Sequence, residues 1–378
     1  MGLQIRPDYL AEPGEIPAFW ISTYDEIQAW LQAHVSLGKS EIIGKSAGGR
    51  EIQAALYGSA RQGLGTTTFS GALGCRDMQA YLGPDAAKKV YMGIGGVHGF
   101  ELEGIVGVVN LINVLETGKD LRGTAWPEIT ETAKQLDRIM LIPLMNPDGR
   151  ARVPMRMETN KGPDMDCHEY LNIGCWADGN RIVWPMCKTL IPMDFDQVEF
   201  PGGYPNDAGV NIQHDDFFGK RQPETEALFA LCARERPDLI MHMHTGAPFR
   251  NYFMRMLRDF CEPALTPVFE QLYVRVHTRL ALEGLQSSND PVVEADPTQS
   301  SLGPFNLTSA LNLHCGALNV VMESPSHGFS GYDRQGELVT HSPEMLLDAQ
   351  LYCHLEAMRF LAEKGGRIKW APGRNRKA

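Results

Sequence analysis

The chain has 378 residues, of which 43% are hydrophobic and 21% are charged. This composition excludes a disordered or fibrous protein and supplies enough apolar residues for a large core. The formal net charge of −11 disfavours nucleic acid as a partner, because neutralising phosphates requires a basic surface. The sequence has no apolar run of 18 residues and no recognisable targeting signal, so we expect a cytoplasmic protein without a membrane span. Nothing in the sequence indicates an oligomeric state.

The eight cysteines are scattered and form no Cys-x-x-Cys pair. This pattern is typical of reduced thiols, which agrees with the cytoplasmic expectation. Three of the cysteines, Cys167, Cys175 and Cys187, share one irregular segment, so a disulfide or a structural metal site among them stays open.

Apolar strands alternate with helices along most of the chain. A first helix is predicted after Thr23, because Glu26 follows at the spacing of a capping box. Strands are predicted at residues 40–44, 50–57, 90–95, 139–144, 238–244 and 317–323. Further helices are predicted at residues 104–115, from Pro223 onwards, at 264–283 and at 343–363. The pattern predicts an α/β fold of three layers, α/β/α, with a mixed, mostly parallel central sheet in a single domain over residues 1–378.

The segment from about 150 to 221 interrupts this regular pattern. It is irregular and rich in Pro, Gly, Asp and Met. Loops of this length inside a compact domain are usually functional. We therefore expect this segment to form much of the wall of a pocket.

Polar residues follow four of the apolar strands at the point where each strand ends. They are His98 with Glu101, the turn Asn146-Pro147-Asp148-Gly149, His244, and Glu323. Open α/β sheets bind their ligands beyond the carboxyl ends of the strands, so these residues are candidates for one site. Two histidines and a carboxylate form a common catalytic zinc set that leaves one position open, and Glu323 is an acid available for proton transfer.

The order and the flanks of these motifs resemble the zinc metallocarboxypeptidase family, the carboxypeptidase A-like enzymes. His98-Gly99-Phe100-Glu101 resembles the family's His-Gly-x-Glu ligand pair, and Asn146-Pro147-Asp148-Gly149 resembles its second signature. The resemblance extends over residues 20 to 360 through Gly44-Lys45-Ser46 with Gly49-Arg50-Glu51-Ile52, Pro223-Glu224-Thr225, Pro237 to His244, and Val320 to Glu323.

The resemblance implies one zinc ion per chain, held by His98, Glu101 and His244, with Glu323 as general base and acid. His242 is a rival to His244 because it points to the same side of the strand, but the family's ligand lies at the strand's end. The family also places an arginine, which stabilises the oxyanion, shortly after the Asn-Pro-Asp-Gly turn. Arg156 fits that spacing best, while Arg150 and Arg152 are alternatives.

The sequence departs from the family where the substrate's terminal carboxylate is normally bound. Gly209-Val210-Asn211-Ile212-Gln213-His214 stands where the family has Gly-Val-Asp-x-Asn-Arg, so Gln213 and His214 replace the usual Asn and Arg. A second alignment through Asp178-Gly179-Asn180-Arg181 keeps those two residue types. The tyrosine that digestive members carry about 20 residues before the base is absent, and Ser301 to Asn306 stands there instead.

These observations predict a zinc-dependent hydrolase of the metallocarboxypeptidase type that cleaves an amide (peptide) bond, with a small peptide or a cell-wall-type peptide as its substrate. Its alternative within the enzymes is a deacylase or amidase that acts on an N-acyl amino acid. An alternative of another class is a binding protein built on a dead enzyme fold, which the intact ligand set and Glu323 disfavour.

Overall fold

The computed structural model of the protein describes residues 4–246, 255–257, 262–285, 305–332 and 336–370. The strands in these ranges are β1 (Lys39–Lys45), β2 (Glu51–Gly58), β3 (Val90–Gly95), β4 (Arg138–Ile142), β5 (Cys175–Trp176), β6 (Val198–Phe200), β7 (Leu239–Thr245), β8 (Arg255–Leu257), β9 (Leu318–Ser324), β10 (Gly331–Tyr332) and β11 (Leu338–Val339). The α-helices are α1 (Tyr24–His34), α2 (Phe69–Cys75), α3 (Met78–Leu82), α4 (Leu102–Thr117), α5 (Pro127–Ala133), α6 (Pro147–Arg152), α7 (Asp166–Asn172), α8 (Pro223–Glu235), α9 (Thr266–Leu282), α10 (Leu307–Cys315), α11 (Pro343–Lys364) and α12 (Arg367–Trp370).

Seven strands form one central sheet in the spatial order β1-β2-β4-β3-β7-β9-β8. The four middle strands β4, β3, β7 and β9 are parallel, whereas β1, β2 and β8 pair with their neighbours in antiparallel fashion. The predicted mixed, mostly parallel sheet is therefore confirmed. Because β3, β7 and β9 lie side by side, their carboxyl ends meet at one edge of the sheet.

Helices cover both faces of the sheet and give the predicted three layers. Alternate strand residues face opposite sides: Tyr91 joins the apolar cluster that includes α1, α4, α5, α9 and α11, and Met92 joins the cluster that includes α8 and α10. In β7, Met241 and Met243 lie in the first cluster, and Ile240 lies in the second. His242 and His244 therefore point to the same side as Ile240.

The first helix begins as its capping signal predicts. The Thr23 hydroxyl accepts a hydrogen bond from the Glu26 amide at 3.3 Å, and the Glu26 carboxylate accepts one from the Thr23 amide at 3.2 Å. Two amide groups that the helix leaves unpaired are thereby satisfied. Ile27, Trp30 and Leu31 bury the inner face of this helix.

The segment from about 150 to 221 contains α6, α7, the small antiparallel pair of β5 and β6, and long irregular stretches. Part of it packs around its own apolar cluster, which includes Ile182, Cys187, Met193 and Tyr204. Cys167, Cys175 and Cys187 are free thiols, so no disulfide joins them. Within the ranges described above, every helix is too short or too polar to cross a membrane.

Candidate active site

The predicted metal ligands meet at the carboxyl edge of the sheet. His98 lies in the turn that follows β3, Glu101 is the residue directly before α4, and His244 lies at the end of β7. Gly96 adopts a left-handed conformation, with φ of +59°, at the point where the chain turns out of β3. The turn brings the two polar side chains of the His-Gly-Phe-Glu motif together on one side.

The donor atoms of these three residues converge closely. Nδ1 of His98 lies 2.7 Å from one carboxylate oxygen of Glu101, and Nδ1 of His244 lies 2.9 Å from the other. The two Nδ1 atoms are 3.3 Å apart, and all three side chains are buried. The ligand atoms of the three residues lie within 4.8 Å of one another. Two imidazole nitrogens and a carboxylate oxygen are ligands that zinc prefers, so this residue set fits the metal.

The electrostatics of the cluster keep the carboxylate available as a ligand. Burial opposes ionisation of Glu101, but the neighbouring imidazoles of His98 and His244 outweigh it and hold the pKa of Glu101 well below its usual range. The group is therefore ionised near neutral pH, as a metal ligand must be.

His242, the rival to His244, lies deeper in the sheet. Its Nε2 donates to the side-chain oxygen of Asn319 at 3.1 Å, and it takes no part in the cluster of converging donors. Burial lowers the pKa of His242 to about 3, so it is a neutral core residue at physiological pH.

Glu323 lies beside the cluster on the neighbouring strand. In the parallel pairing of β7 with β9, His244 is directly opposite Glu323, so the two side chains point to the same side. A Cβ atom built on Gly246 would lie 3.0 Å from Oε2 of Glu323, which shows that the carboxylate rests against this part of the chain. Glu323 is partly exposed, unlike the three ligands.

Asn211, Gln213 and His214 flank Ile212, which belongs to the same apolar cluster as Val97 and Met145 just beyond the ends of β3 and β4. Burial, with smaller contributions from the nearby charges of Lys188, His98 and His244, lowers the pKa of His214 to about 3. His214 is therefore a neutral imidazole near pH 7, within electrostatic reach of His98 and His244. Asn211 accepts a hydrogen bond from the Gln213 amide at 3.0 Å, and both of these side chains are buried.

The alternative segment Asp178-Gly179-Asn180-Arg181 lies elsewhere, on an exposed turn after β5. Arg181 pairs there with the carboxylates of Asp166 and Glu169. His214 thus lies within electrostatic reach of the cluster, whereas Arg181 is paired with two other carboxylates.

The three arginines that follow the Asn-Pro-Asp-Gly turn all have partners within the fold. Arg150 is buried and donates to the carbonyls of Ser22, Val153 and Met155, and Arg152 donates to carbonyls in the loop at 202–206. Arg156 pairs with Glu26 of α1 at 2.6 Å. Its predicted contact with an oxyanion stays a prediction.

The Asn-Pro-Asp-Gly turn itself holds neighbouring loops together. The Asn146 side chain accepts from the Gly149 amide at 2.9 Å and donates to the Tyr204 carbonyl at 2.9 Å. Buried Asp148 accepts hydrogen bonds from Ser46, Gly48 and Arg50 of the first hairpin. The motif therefore ties the hairpin and the loop around residue 204 to the edge that carries the ligands.

Sequence reasoning missed three buried residues at this site. Tyr204 and Asn172 contact His98 and Glu101, yet both lie in the segment without periodicity, where only the Gly202-Gly203 pair hints at a close approach of backbones. Glu103 accepts from the Thr245 hydroxyl at 2.7 Å and from the His327 amide at 2.8 Å, and burial raises its pKa to about 7. In the stretch from Ser301 to Asn306, where digestive members of the family carry a tyrosine, residues 301–304 lie outside the described ranges.

Comparison with known proteins agrees with this geometry. The chain resembles a metallo-carboxypeptidase from Burkholderia cenocepacia at 14% identity, with a TM-score of 0.52 over 90% of this chain and 70% of that one. It resembles a metallo-carboxypeptidase from Pseudomonas aeruginosa, solved in complex with (2-guanidinoethylmercapto)succinic acid, at 15% identity, with a TM-score of 0.51 over 90% of this chain and 68% of that one. No curated protein is significantly similar to the chain.

These two likenesses show the fold. The activity class rests on the profile of the zinc carboxypeptidase family, peptidase family M14, which matches residues 23–295 and thus more than half of the chain. The chain belongs to the zinc carboxypeptidase family and is a zinc carboxypeptidase-like hydrolase.

Proposed function

We propose that this hydrolase cleaves an amide bond in a small peptide, with His98, Glu101 and His244 as its zinc ligands and Glu323 as its acid–base group. The observation that carries the proposal is the convergence of three buried donor atoms within 4.8 Å, with Glu323 opposite His244 on the next strand. Bound zinc would supply a Lewis acid that polarises the scissile carbonyl and acidifies water.

The position of Glu323 supports a role in proton transfer. Its carboxylate lies at the open edge of the sheet, next to the ligand cluster and against Gly246. In the proposed reaction it accepts a proton from the attacking water and delivers it to the nitrogen of the leaving amine. A carboxylate that served only to complete the fold would be expected to be buried, whereas Glu323 is partly exposed.

Gln213 and His214 are proposed to bind the carboxyl end of the substrate. The electrostatic reach between His214 and the ligands His98 and His244 supports the role. The chemistry of Gln213 and His214 makes carboxylate binding weaker than that of an Asn–Arg pair, since neither carries a permanent charge. This second observation favours the alternative function, an N-acyl amino acid deacylase or amidase, in which a free terminal carboxylate matters less. Matched peptide and N-acyl amino acid substrates distinguish the two activities.

Two broader expectations remain proposals. We propose that residues 1–378 form one catalytic domain, because strands from residue 39 to residue 324 join in a single sheet. A cytoplasmic location is proposed from the reduced thiols, of which seven are free in the described ranges.

The test is the substitution Glu323→Gln, which keeps the size of the side chain and removes the proton acceptor. We expect zinc content to stay at about one ion per chain and hydrolysis to fall by ~100-fold or more, because acid–base groups typically contribute 10²–10⁴-fold. Glu344→Gln, at an exposed position in the first turn of α11, is the control and should keep full activity. Near-normal turnover of zinc-loaded Glu323→Gln would remove Glu323 from the mechanism, and a wild-type protein that binds zinc but hydrolyses no amide would favour the binding-protein alternative.

A further inference from the structure

One question that the ligand set leaves open is how the His98 ring is held in place. Ligating histidines usually donate their second ring nitrogen to an acceptor, which fixes the orientation of the ring. Nε2 of His98 is buried and has no hydrogen-bond partner within the part of the chain that the structure describes. Another contact must therefore fix this ring.

That contact is an aromatic stack. The ring of Tyr204 lies face to face with the imidazole of His98, with centroids 3.7 Å apart and an angle of 13° between the planes. Tyr204 is only 8% exposed. A parallel ring at this distance blocks rotation of the imidazole to one side and leaves its Nδ1 edge directed at Glu101.

The backbone around Tyr204 is fixed on both sides. The Tyr204 amide donates to the Asn172 carbonyl at 3.0 Å, and the Tyr204 carbonyl accepts from the Asn146 side chain at 2.9 Å. One residue earlier, the Gly203 carbonyl accepts from the Gly99 amide at 2.8 Å, inside the ligand motif itself. Because its backbone is held by these hydrogen bonds, the stacked ring of Tyr204 restricts the orientation of the His98 imidazole.

A close approach of two backbones makes this arrangement possible. A Cβ atom at Gly203 would lie 2.8 Å from both the Cβ and the amide nitrogen of Phe100, which is closer than real Cβ atoms come to their neighbours. Glycine at this position therefore lets the loop at 203–204 lie directly on the turn that carries His98 and Glu101.

The second ligand has a contact from the same segment. The side-chain amide of Asn172, at the end of α7, donates to Oε1 of Glu101 at 3.4 Å, and Asn172 is buried. Asn172 thus supports the Tyr204 backbone through its carbonyl and contacts Glu101 through its side chain.

We propose that Tyr204 and Asn172 are positioning residues that hold His98 and Glu101 ready for zinc, Tyr204 through its ring and Asn172 through its amide. The inference rests on the proposed function, since it takes His98 and Glu101 as ligands. Besides the pocket wall that the sequence predicts for the irregular segment, the proposal gives this segment a second role, which is to support the metal site from behind.

The test measures zinc affinity of the full chain by competition with a chromophoric chelator. Residues behind metal ligands typically contribute 10–100-fold to metal affinity, so we expect the zinc Kd of Tyr204→Leu to rise by ~10–100-fold. Tyr204→Phe keeps the ring and should stay within ~3-fold of wild type. Tyr170→Leu is the matched control: Tyr170 is a buried tyrosine stacked on Phe200 at 5.3 Å, and its loss should leave the Kd unchanged.

A readout besides affinity separates positioning from general destabilisation. In cobalt-substituted protein, Tyr204→Leu should alter the visible absorption bands of the metal, whereas Tyr170→Leu should not. Thermal unfolding of the metal-free variants shows whether both still fold. If Tyr204→Leu does not fold, Tyr204→Met replaces it, and Asn172→Ala tests the contact with Glu101 with the same expected loss of affinity.

The outcomes are distinct. A Kd within ~3-fold of wild type for folded Tyr204→Leu overturns the proposal. A Tyr204→Phe variant as weak as Tyr204→Leu overturns it too, because the hydroxyl rather than the stacked ring would then matter. If His98→Ala retains wild-type zinc affinity, the ligand assignment fails instead, and with it the proposed function.

Discussion

Amidation of the substrate's terminal carboxylate tests the assignment of Gln213 and His214 most sharply. Burial holds the pKa of His214 at about 3, which is about four units below pH 7. Protonating this imidazole at pH 7 therefore costs about 5 kcal/mol, at 1.36 kcal/mol per unit. A hydrogen bond to a charged group contributes only ~1.5–3 kcal/mol, so a bound carboxylate does not bring His214 into its cationic form.

The expected preference for a free carboxylate follows from this balance. A neutral imidazole offers the substrate's carboxylate one N–H donor, so blocking that carboxylate leaves no charge of His214 unpaired. Leaving a buried charged partner unpaired would cost ~3 kcal/mol or more. We expect amidation to lower kcat/KM by less than about a hundredfold, which is ~2.7 kcal/mol. The assay compares matched free and amidated substrates of the wild-type protein at pH 7.

Two variants identify the group responsible for any preference. His214→Ala should reduce it, and Arg181→Ala should leave it unchanged, because Arg181 is paired with Asp166 and Glu169. A preference above a hundredfold would refute the reasoning and show a dedicated carboxylate clamp. If Arg181→Ala abolished that preference while His214→Ala did not, the alignment through Asp178-Gly179-Asn180-Arg181 would replace ours; if Lys188→Met abolished it, Lys188 would be the clamp.

Three further predictions concern the framework of the site. Gly99→Ala would place a Cβ atom 2.1 Å from the Arg150 amide nitrogen, so it should lower the free energy of unfolding by ~1–3 kcal/mol or more in denaturant titrations, whereas Gly14→Ala, which has open space, should not. Asp148→Asn should cost ~1.5–3 kcal/mol in the same titrations, because it removes the buried carboxylate that accepts from Ser46, Gly48 and Arg50 while Arg50 keeps its pair with Asp207, and a cost below about 0.5 kcal/mol would contradict this. Burial lowers the pKa of His354 to about 3 in the folded protein, whereas a histidine in the unfolded chain has a pKa of about 6.5. As the pH falls, the unfolded chain therefore binds the proton before the folded protein does. The contribution of neutral His354 to the free energy of unfolding is complete above pH ~6.5 and is lost towards pH 3. In the metal-free protein, His354→Gln should therefore flatten the dependence of unfolding free energy on pH between 4.5 and 6 by up to ~1.4 kcal/mol per pH unit, and an unchanged slope would contradict the burial argument.

The elements that carry the site could be predicted from the sequence because their signals are local. The run from Val90 to Gly95 is apolar and ends in glycines, and Thr23 with Glu26 marks the start of α1. The ligands stand directly after such strands, where parallel topology brings strand ends together. Their approach to one another therefore follows from the strand pattern and does not require knowledge of distant contacts.

The support behind the ligands could not be predicted, because it depends on contacts between distant segments. Tyr204 contacts His98 because Gly203 lets its loop lie directly against Phe100. The sequence of that segment has no periodicity that indicates such a contact. The antiparallel strand β8 and the short helix α10 were missed for a related reason: three and nine residues are too few for a periodic pattern to stand out. The partners of Arg156 are likewise set by tertiary packing against α1.

The central claim is that His98, Glu101 and His244 form the zinc site. The most direct measurement is the zinc content per chain, by elemental analysis, of the wild type and of His244→Ala and His242→Ala. We predict about one zinc ion in the wild type, little in His244→Ala, and near wild-type content in His242→Ala, whose side chain is bonded to Asn319 instead. Loss of zinc from His242→Ala with retention in His244→Ala would contradict the account.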